Sequence, residues 1–482
     1  MANTIESTTD EALLRSLIDG SIEGKFEDDT ITSLTRDGLF YGCNDLTEVY
    51  LPNLTSMNGF SFVPNSASAS CTSLKTIDVP NLINFSGILY NLSALKNFNA
   101  PEFSTIANSS NAILMYCNSI EKVHLPKAPL CHFYSNNSLK YVVLPNVINV
   151  RAIRATHNGV FIALDLGETC TNLNLGGDNI FYQTENNNTE ALILRSKTLL
   201  PLTRSSLNGS VNTGQGFGNF AKNKIYVPQA LVEDYKVATN WSQYASCFEA
   251  IEGSKYEHYW ADGTPIGFSN NYGLIGYYDV GNVNDWDSET KTISSHVEND
   301  FNAWRQTSNN QFNINNAANI PTNIYDNCYM NGGFIINFSD GTTSNVSIED
   351  KYDVITIEFL YASSSNASIN INKAITNESI GTQIIGYVGE LGLTFKHVVL
   401  ELSKTGTKLF INKVQKRNTN DNNINRPIIN INNSNNCYIG HVSVWNRELT
   451  SEEIEQHYDY YVANFHVGET AFDSNGNFIA GS

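Results

Sequence analysis

Hydrolytic chemistry asks for two titratable groups held a few ångströms apart, and this chain offers few such pairs. Residues 354–362, VITIEFLYA, read as an interior strand and carry a single carboxylate, Glu358. No Glu-x-Asp-x-x-Glu string occurs, so no strand presents an acid beside a base or nucleophile for glycoside cleavage. The G-x-S-x-G, H-E-x-x-H and phosphate-loop patterns are missing as well. His124, His132, His157, His397, His441 and His457 are scattered, and each reads as a structural or surface residue. The chain is therefore expected not to be an enzyme.

Binding chemistry is better represented. Calcium wants several clustered oxygen ligands, and DVGNVNDWDSE at 279–289 supplies Asp279, Asp285 and Asp287, while NTNDNN at 418–423 is also dense in them. Ordinary polar turns are the plainer reading of both, so calcium is the one candidate cofactor and otherwise none is expected. Trp286 and Trp304 stand in loop-like sequence, where an indole can stack on a sugar ring; core packing is the competing role. Cys43, Cys71, Cys117, Cys131, Cys170, Cys247, Cys328 and Cys437 contain no C-x-x-C pair, which argues against zinc and redox motifs and for reduced, buried thiols.

The elements that would position such groups announce themselves by repetition. LTEVYLPNL (46–54), LKTIDVPNL (74–82), LKNFNAPEF (95–103), IEKVHLPKA (120–128) and LKYVVLPNV (139–147) share one phase. Their prolines, Pro52, Pro80, Pro101, Pro126 and Pro145, are 28, 21, 25 and 19 residues apart. A period of about 20–29 residues marks a leucine-rich solenoid, in which no unit buries enough surface alone and stacking makes one continuous core. Leu46, Val49 and Leu51, then Leu74, Ile77 and Val79, then Leu139, Val142 and Leu144 are the expected core residues of a short strand in each unit, with proline ending its ladder. Cys43, Cys71 and Cys117 each precede the first of these apolar positions by three residues, as a small side chain in a stacked turn would.

The fragments DGLFYGCNDLTEVYLPNL and CTSLKTIDVPNL resemble the BspA-like leucine-rich repeats of gut bacteria and their phages, and KIYVPQALVEDYKVATNWSQYASCFEAIEG (224–253) resembles that family's closing unit. The resemblance implies a solenoid over 31–253. ALDL (163–166) and ALIL (191–194) are candidate further strands, separated by Asn- and Gly-rich inserts that leave the repeat count open. Residues 1–30 read as a cap or anchor: Thr8 to Glu11 has capping-box spacing, Leu13, Leu14, Leu17 and Ile18 share a face, and Gly20 is a helix stop. Residues 254–267 read as a connector.

From Phe268 the texture becomes short strands between Asn, Ser and Gly turns: GLIGYYDV, GGFIINF, VITIEFLYA, KHVVLEL, TKLFINKV and CYIGHVSVW. This spacing predicts a two-sheet sandwich or jelly roll, so the chain as a whole is expected to be mainly β. WNRELTSEEIEQHY (445–458) is the one clear helical pattern, with a capping box at Thr450 and Glu453. That string, with FKHVVLELSKTGTKLFINKV and GLIGYYDVGNVNDW upstream, resembles the laminin-G-like, concanavalin-A-like superfamily over 268–465, Phe395 replacing the usual Trp and Lys413 the usual turn Gly. Residues 466–482 form a polar tail.

Composition sets outer bounds. A chain of 482 residues with 41% hydrophobic and 16% charged side chains can bury a core, and its net charge of −19 opposes nucleic-acid binding. No apolar run approaches the roughly 18 residues that cross a bilayer, so no membrane insertion is expected. The opening MANTIESTTDEALL lacks the basic and apolar regions of a secretory signal. Together the two resemblances imply a virion appendage of a gut Bacteroidales phage, of tail-fibre or head-fibre type, made in the host cytoplasm and released by lysis. Its expected partners are a host cell-surface glycan or protein, other virion proteins and further copies of itself. A purely structural virion protein, a bacterial surface adhesin and a polysaccharide-degrading enzyme are the alternatives.

Overall fold

The computed structural model describes residues 16–17, 19–63, 70–109, 111–154, 161–173, 180–182, 189–203, 207, 223–268, 271–278, 286–287, 292–293, 312–313, 329–331, 334–337, 354–363, 368–375, 379–385, 394–403, 406–419, 427–432, 436–464 and 467–468. The protein is mainly β and divides into two compact units, Met1–Asp262 and Gly263–Ser482.

In the first unit every strand pairs in parallel with the strand one coil away. One sheet runs through Gly24–Glu27, Leu46–Tyr50, Thr76–Asp78 and Asn97–Asn99, and its register lines up Phe26, Val49, Ile77 and Phe98. Another runs through Lys122–His124, Tyr141–Leu144, Ala163–Leu166, Ala191–Leu194, Lys224–Val227 and Phe248–Ala250, aligning Val123, Val142, Leu164, Leu192, Ile225 and Phe248. All ten side chains are buried in a single cluster. Leu46, Val49, Leu51, Leu74, Ile77, Val79, Leu139, Val142 and Leu144 are each 0% exposed. The coils also carry further short strands that the repeat phrase does not mark. Ser33–Leu34, Ser56–Asn58, Asn84–Ser86 and Thr105–Ile106 form one sheet. Leu89–Tyr90, Leu114–Met115, Leu130–Tyr134, Asn149–Arg154 and Phe181–Tyr182 form another.

The Pro-Asn pair does more than end a strand. Asn53, Asn81 and Asn146 donate from Nδ2 to the carbonyls of Asp29, Pro52 and Pro126, one coil earlier, at 2.6, 2.8 and 2.9 Å. Where successive coils carry Glu102 and Lys127 at that place, the two form an ion pair with Nζ–O distances of 2.7 and 2.5 Å. The repeated cysteine is a second such clamp: the Sγ atoms of Cys43, Cys71 and Cys117 face the carbonyls of Leu17, Phe40 and Leu89 at 3.5, 3.1 and 3.4 Å. Asn136 takes the same place one coil later and donates to the Leu114 carbonyl. Gly167 stands where the preceding coil has Pro145, because a Cβ there would lie 1.7 Å from the Pro145 oxygen.

At its far end the stack closes on Tyr235, Trp241, Tyr244 and Phe248, with the Leu200 N–H donating to the Tyr235 hydroxyl and Trp241 Nε1 donating to the Leu200 carbonyl. At its start Leu17 is fully buried; Thr8, Leu13, Leu14 and Ile18 of the expected cap lie outside the described residues.

In the second unit the strands are antiparallel. One sheet orders Leu274–Tyr278, Asn436–Trp445, Val354–Ser363, Lys396–Ser403, Gly406–Ile411 and Val414–Thr419, with Tyr329–Asn331 also paired to Asn436–Trp445. A second orders Phe312–Asn313, Phe334–Asn337, Pro427–Asn432, Ser368–Ile375 and Ser379–Ile385. TKLFINKV is not one strand: Asn412 and Lys413 take φ of 48° and 59° and make a two-residue hairpin turn. The helix spans Ser451–Asn464, six residues later in its start than Trp445, because Trp445 still pairs with Leu274 and Thr356. Its capping box is complete: Glu453 N donates to Thr450 Oγ1 (3.1 Å) and Thr450 N to Glu453 Oε2 (2.9 Å).

Candidate functional site

A carboxylate on a central strand must be exposed, paired or protonated. Glu358 is paired. It shares with Thr356 and Leu360 the sheet face that meets the Ser451–Asn464 helix. His397 Nε2 donates to its Oε1 at 2.6 Å, His457 Nδ1 lies 3.1 Å from both oxygens, and Ser443 Oγ donates to Oε2 at 2.8 Å. Glu358, His397 and Ser443 are 0% exposed and His457 is 1% exposed. Burial pushes the Glu358 carboxyl up, but the His457 charge and the hydrogen bonds from both imidazoles outweigh it and hold the group well below the usual carboxylate range. His457 stacks on Phe268, centroid to centroid 4.0 Å, and on Trp445, 5.6 Å, and those two rings also touch each other at 5.6 Å.

The same face is stitched to the helix by other polar residues. Thr356 Oγ1 donates to the Arg447 carbonyl (2.7 Å), and Leu449 N donates to Glu401 Oε1 (3.2 Å). Arg447 holds Glu453 through two bonds of 2.7 and 2.6 Å. His441 sits at φ 47° in a strand bulge that aims its Nδ1 at the Tyr277 hydroxyl, 3.0 Å away.

Ser, His and Glu therefore meet, but not as a nucleophilic relay. The serine hydroxyl is directed at the carboxylate and accepts from Trp445 Nε1 (3.0 Å), and the cluster is closed to solvent. This arrangement ties the helix to the sheet through groups that are closed to solvent.

The first unit has a second buried cluster. Asp165 pairs with Arg195 through Nε–Oδ1 and Nη2–Oδ2 contacts of 2.8 Å each, and Arg195 donates onward to the carbonyls of Tyr256 and Tyr259. Ala261 N donates to Asp165, and His124 Nδ1 lies 2.9 Å from Asp262 Oδ2. The Trp260 ring covers the Arg195 guanidinium at 4.6 Å. Residues 256–262, read as part of a connector, are thereby fastened to the first unit. Tyr256 and Ile251 pack there with Ala163, Ala191 and Ile193, covering the outer face of the parallel sheet.

The residues that the sequence singled out for ligands are not brought together by any described contact. Asp279, Asp285 and Trp304 lie outside the described residues. Trp286 and Asp287 form a two-residue strand paired with Thr292–Ile293. Among the described residues no group of three or more His, Cys, Asp or Glu side chains is arranged to hold a metal ion. Neither buried cluster was legible beforehand: 39 and 99 residues separate Glu358 from its imidazoles and 30 separate Asp165 from Arg195. The one signal was a charged residue in the middle of each apolar strand, VITIEFLYA and ALDL.

No family model matches the chain, and no curated protein matches it. Among solved structures it is similar to the binding domain of botulinum neurotoxin serotype D, with 14% identity, a TM-score of 0.27 and coverage of 40% of this chain and 52% of that one. The ligand-binding domain of that serotype in complex with N-acetylneuraminic acid gives 16%, 0.28, 44% and 55%. Trypanosoma rangeli sialidase gives 12%, 0.28, 39% and 32%. The chain spans about half the length of the neurotoxin chains and about a third of the sialidase. Overlaps this shallow carry no argument about activity, which rests on the residues above.

Proposed function

We propose that the chain is a non-enzymatic adhesin in which a leucine-rich-repeat solenoid holds a laminin-G-like sandwich that binds a glycan or protein on a host cell surface. The observation that carries this reading is that the two ionisable clusters, Asp165–Arg195 and Glu358–His397–His457, are buried, with each carboxylate paired by its own neighbours. Support for the solenoid comes from the parallel pairing of successive repeat strands in constant register. The two antiparallel sheets and the capped helix after Trp445 are consistent with the sandwich. The setting in a phage appendage, alongside other virion proteins and further copies of the chain, rests on the resemblance to BspA-like repeats of gut bacteria and their phages. Calcium at Asp279, Asp285 and Asp287 belongs to the same proposal. Among the described residues no helix is long and apolar enough to cross a membrane.

The purified full chain, applied to a glycan array and to gut Bacteroidales cells with and without calcium, is expected to bind at least one surface glycan or cell type. Failure to bind any cell or glycan would leave the structural virion reading in its place.

A further inference from the structure

Residues 251–262 run back along the first unit, against the direction in which its coils stack. The strands of the six-stranded sheet follow one another from Lys122–His124 to Phe248–Ala250, and the chain that leaves the last of them meets them in reverse. Tyr256 packs on Tyr226, with ring centroids 4.8 Å apart. Arg195, just past Ala191–Leu194, donates to the Tyr256 and Tyr259 carbonyls at 3.0 and 2.9 Å. Ala261 N donates to Asp165 of Ala163–Leu166 at 2.9 Å. Asp262 ends the run at His124, on the first strand of the sheet. Four strand spacings separate Tyr226 from His124, about 19 Å.

The sheet is shaped to take this strap. Its outer row holds Tyr141, Ala163 and Ala191 in register, whereas the same row of the first sheet holds Lys25, Glu48, Thr76 and Asn97. The two alanines leave room for Ile251 and Tyr256, which pack there in a small apolar cluster. From Tyr259 onward the attachment is polar, made by the bonds to Arg195 and Asp165 and by the His124–Asp262 pair. At that end His124 Nε2 and Trp260 Nε1 are buried with no hydrogen-bond partner among the described residues. Burying such atoms unpaired costs free energy. The strap therefore has an apolar root and a polar leading end that carries a desolvation cost.

Each coil of a solenoid contacts its neighbours alone, so a chain pulled from the last coil would strip that coil first. Here a load on the chain beyond Asp262 reaches the strap before it reaches Phe248–Ala250. We propose that residues 257–262 are a reversible tension latch, which peels from His124 towards Tyr256 and lengthens the tether before any coil opens. The His124–Asp262 contact breaks first, then Asp165–Ala261, then Arg195–Tyr259. Asp165 and Arg195 stay paired to each other on the sheet, so the docking site is ready to be reoccupied when the load falls. Six freed residues and the shift of the exit point along the stack add about 40 Å, whereas opening even the 19-residue coil between Pro126 and Pro145 frees about 65 Å. The use of such a latch rests on the adhesin reading, since a chain bound to a cell is loaded along its length.

The test holds the full chain by its two ends in optical tweezers and compares wild type with Trp260→Ala/Asp262→Ala, which leaves the bonds between coils in place. Wild type is expected to show, at the lowest force, a step of about 40 Å that reverses on relaxation, ahead of longer steps. The double variant is expected to lack that step and to keep the longer ones at unchanged force. Without load, hydrogen exchange across 256–262 is expected to be about tenfold or more faster in the variant, with 141–144 and 163–166 unchanged. A first step that persists in the variant overturns the latch, as does a wild type whose first step already has the length of a coil. Lower forces for the later steps, or lost protection at 163–166, also overturn it, because the strap would then be part of the coil core. No ligand enters these measurements, so their failure leaves the adhesin reading to the glycan array, and absence of binding there leaves the latch intact.

Discussion

Replacing Glu358 by glutamine is the sharpest perturbation of the second unit. The side chain keeps its volume, but His397, His457 and Ser443 lose the carboxylate that they share at 2.6, 3.1 and 2.8 Å. Removing one partner of a fully buried ion pair costs about 3–5 kcal/mol, because the remaining groups stay desolvated. In a unit of this size each kcal/mol lowers the melting temperature by about 2–4 °C, so the variant should melt about 6–20 °C below wild type at neutral pH. The pH dependence has a definite sign. The folded-state value of Glu358 lies below the ordinary 4.5. Its contribution is therefore complete above pH 4.5 and lost as the pH falls from there towards the folded-state value. Glu453, lowered by Arg447 against the opposing effect of burial, adds to the same limb. Scanning calorimetry of the full chain between pH 7 and pH 3 should show the wild-type transition collapsing on acidification and the Glu358→Gln transition falling less steeply. A loss under 1 kcal/mol at neutral pH, with an unchanged acid limb, would refute the reasoning that this cluster is an ionic anchor.

Three further outcomes are expected. Asn81→Ala removes one inter-coil bond to the Pro52 carbonyl and should cost about 1 kcal/mol, read from denaturant unfolding of the first unit; no loss would show that the clamp is decorative. The Cys71, Cys117 and Cys170 thiols are pushed up to about 12 by burial, so none should react with a thiol reagent at pH 8 until the chain is unfolded; labelling of the native protein at any of them would contradict the packing. Thr450→Ala opens the capping box and should destabilise the second unit by about 1 kcal/mol, with helical circular dichroism near Ser451 fraying first; an unchanged melting curve would exclude that role.

Much of the first unit could be read from the chain because its code is repetitive. LTEVYLPNL and LKYVVLPNV state the strand, its buried face and its end in one phrase, and the structure stacks their strands in parallel. The two- and three-residue strands such as Asn84–Ser86 were illegible, since so short a segment has no periodicity. In the second unit VITIEFLYA, KHVVLEL and the Thr450–Glu453 cap were legible from alternation and capping chemistry. Ser368–Ile375 and Pro427–Asn432 were not, although SININKAI and PIININ alternate isoleucine with asparagine, because asparagine is a poor strand former and reads as turn. The candidate site was the least visible part. Glu358 could be seen as a lone carboxylate, but its partners come from another strand and from the helix. Sequence spacing carries no record of which distant imidazoles a sheet will bring beside a carboxylate. The same limit hid the Arg195–Asp165 clasp.

The central claim is that this chain holds a surface ligand and does no chemistry on it. Incubating the full chain with purified host capsule polysaccharide, and measuring in one sample both the polymer retained on the protein and the reducing ends released, tests it most directly. Retention with no new reducing ends is the expected result; release of reducing ends that rises with time and protein concentration would contradict the account.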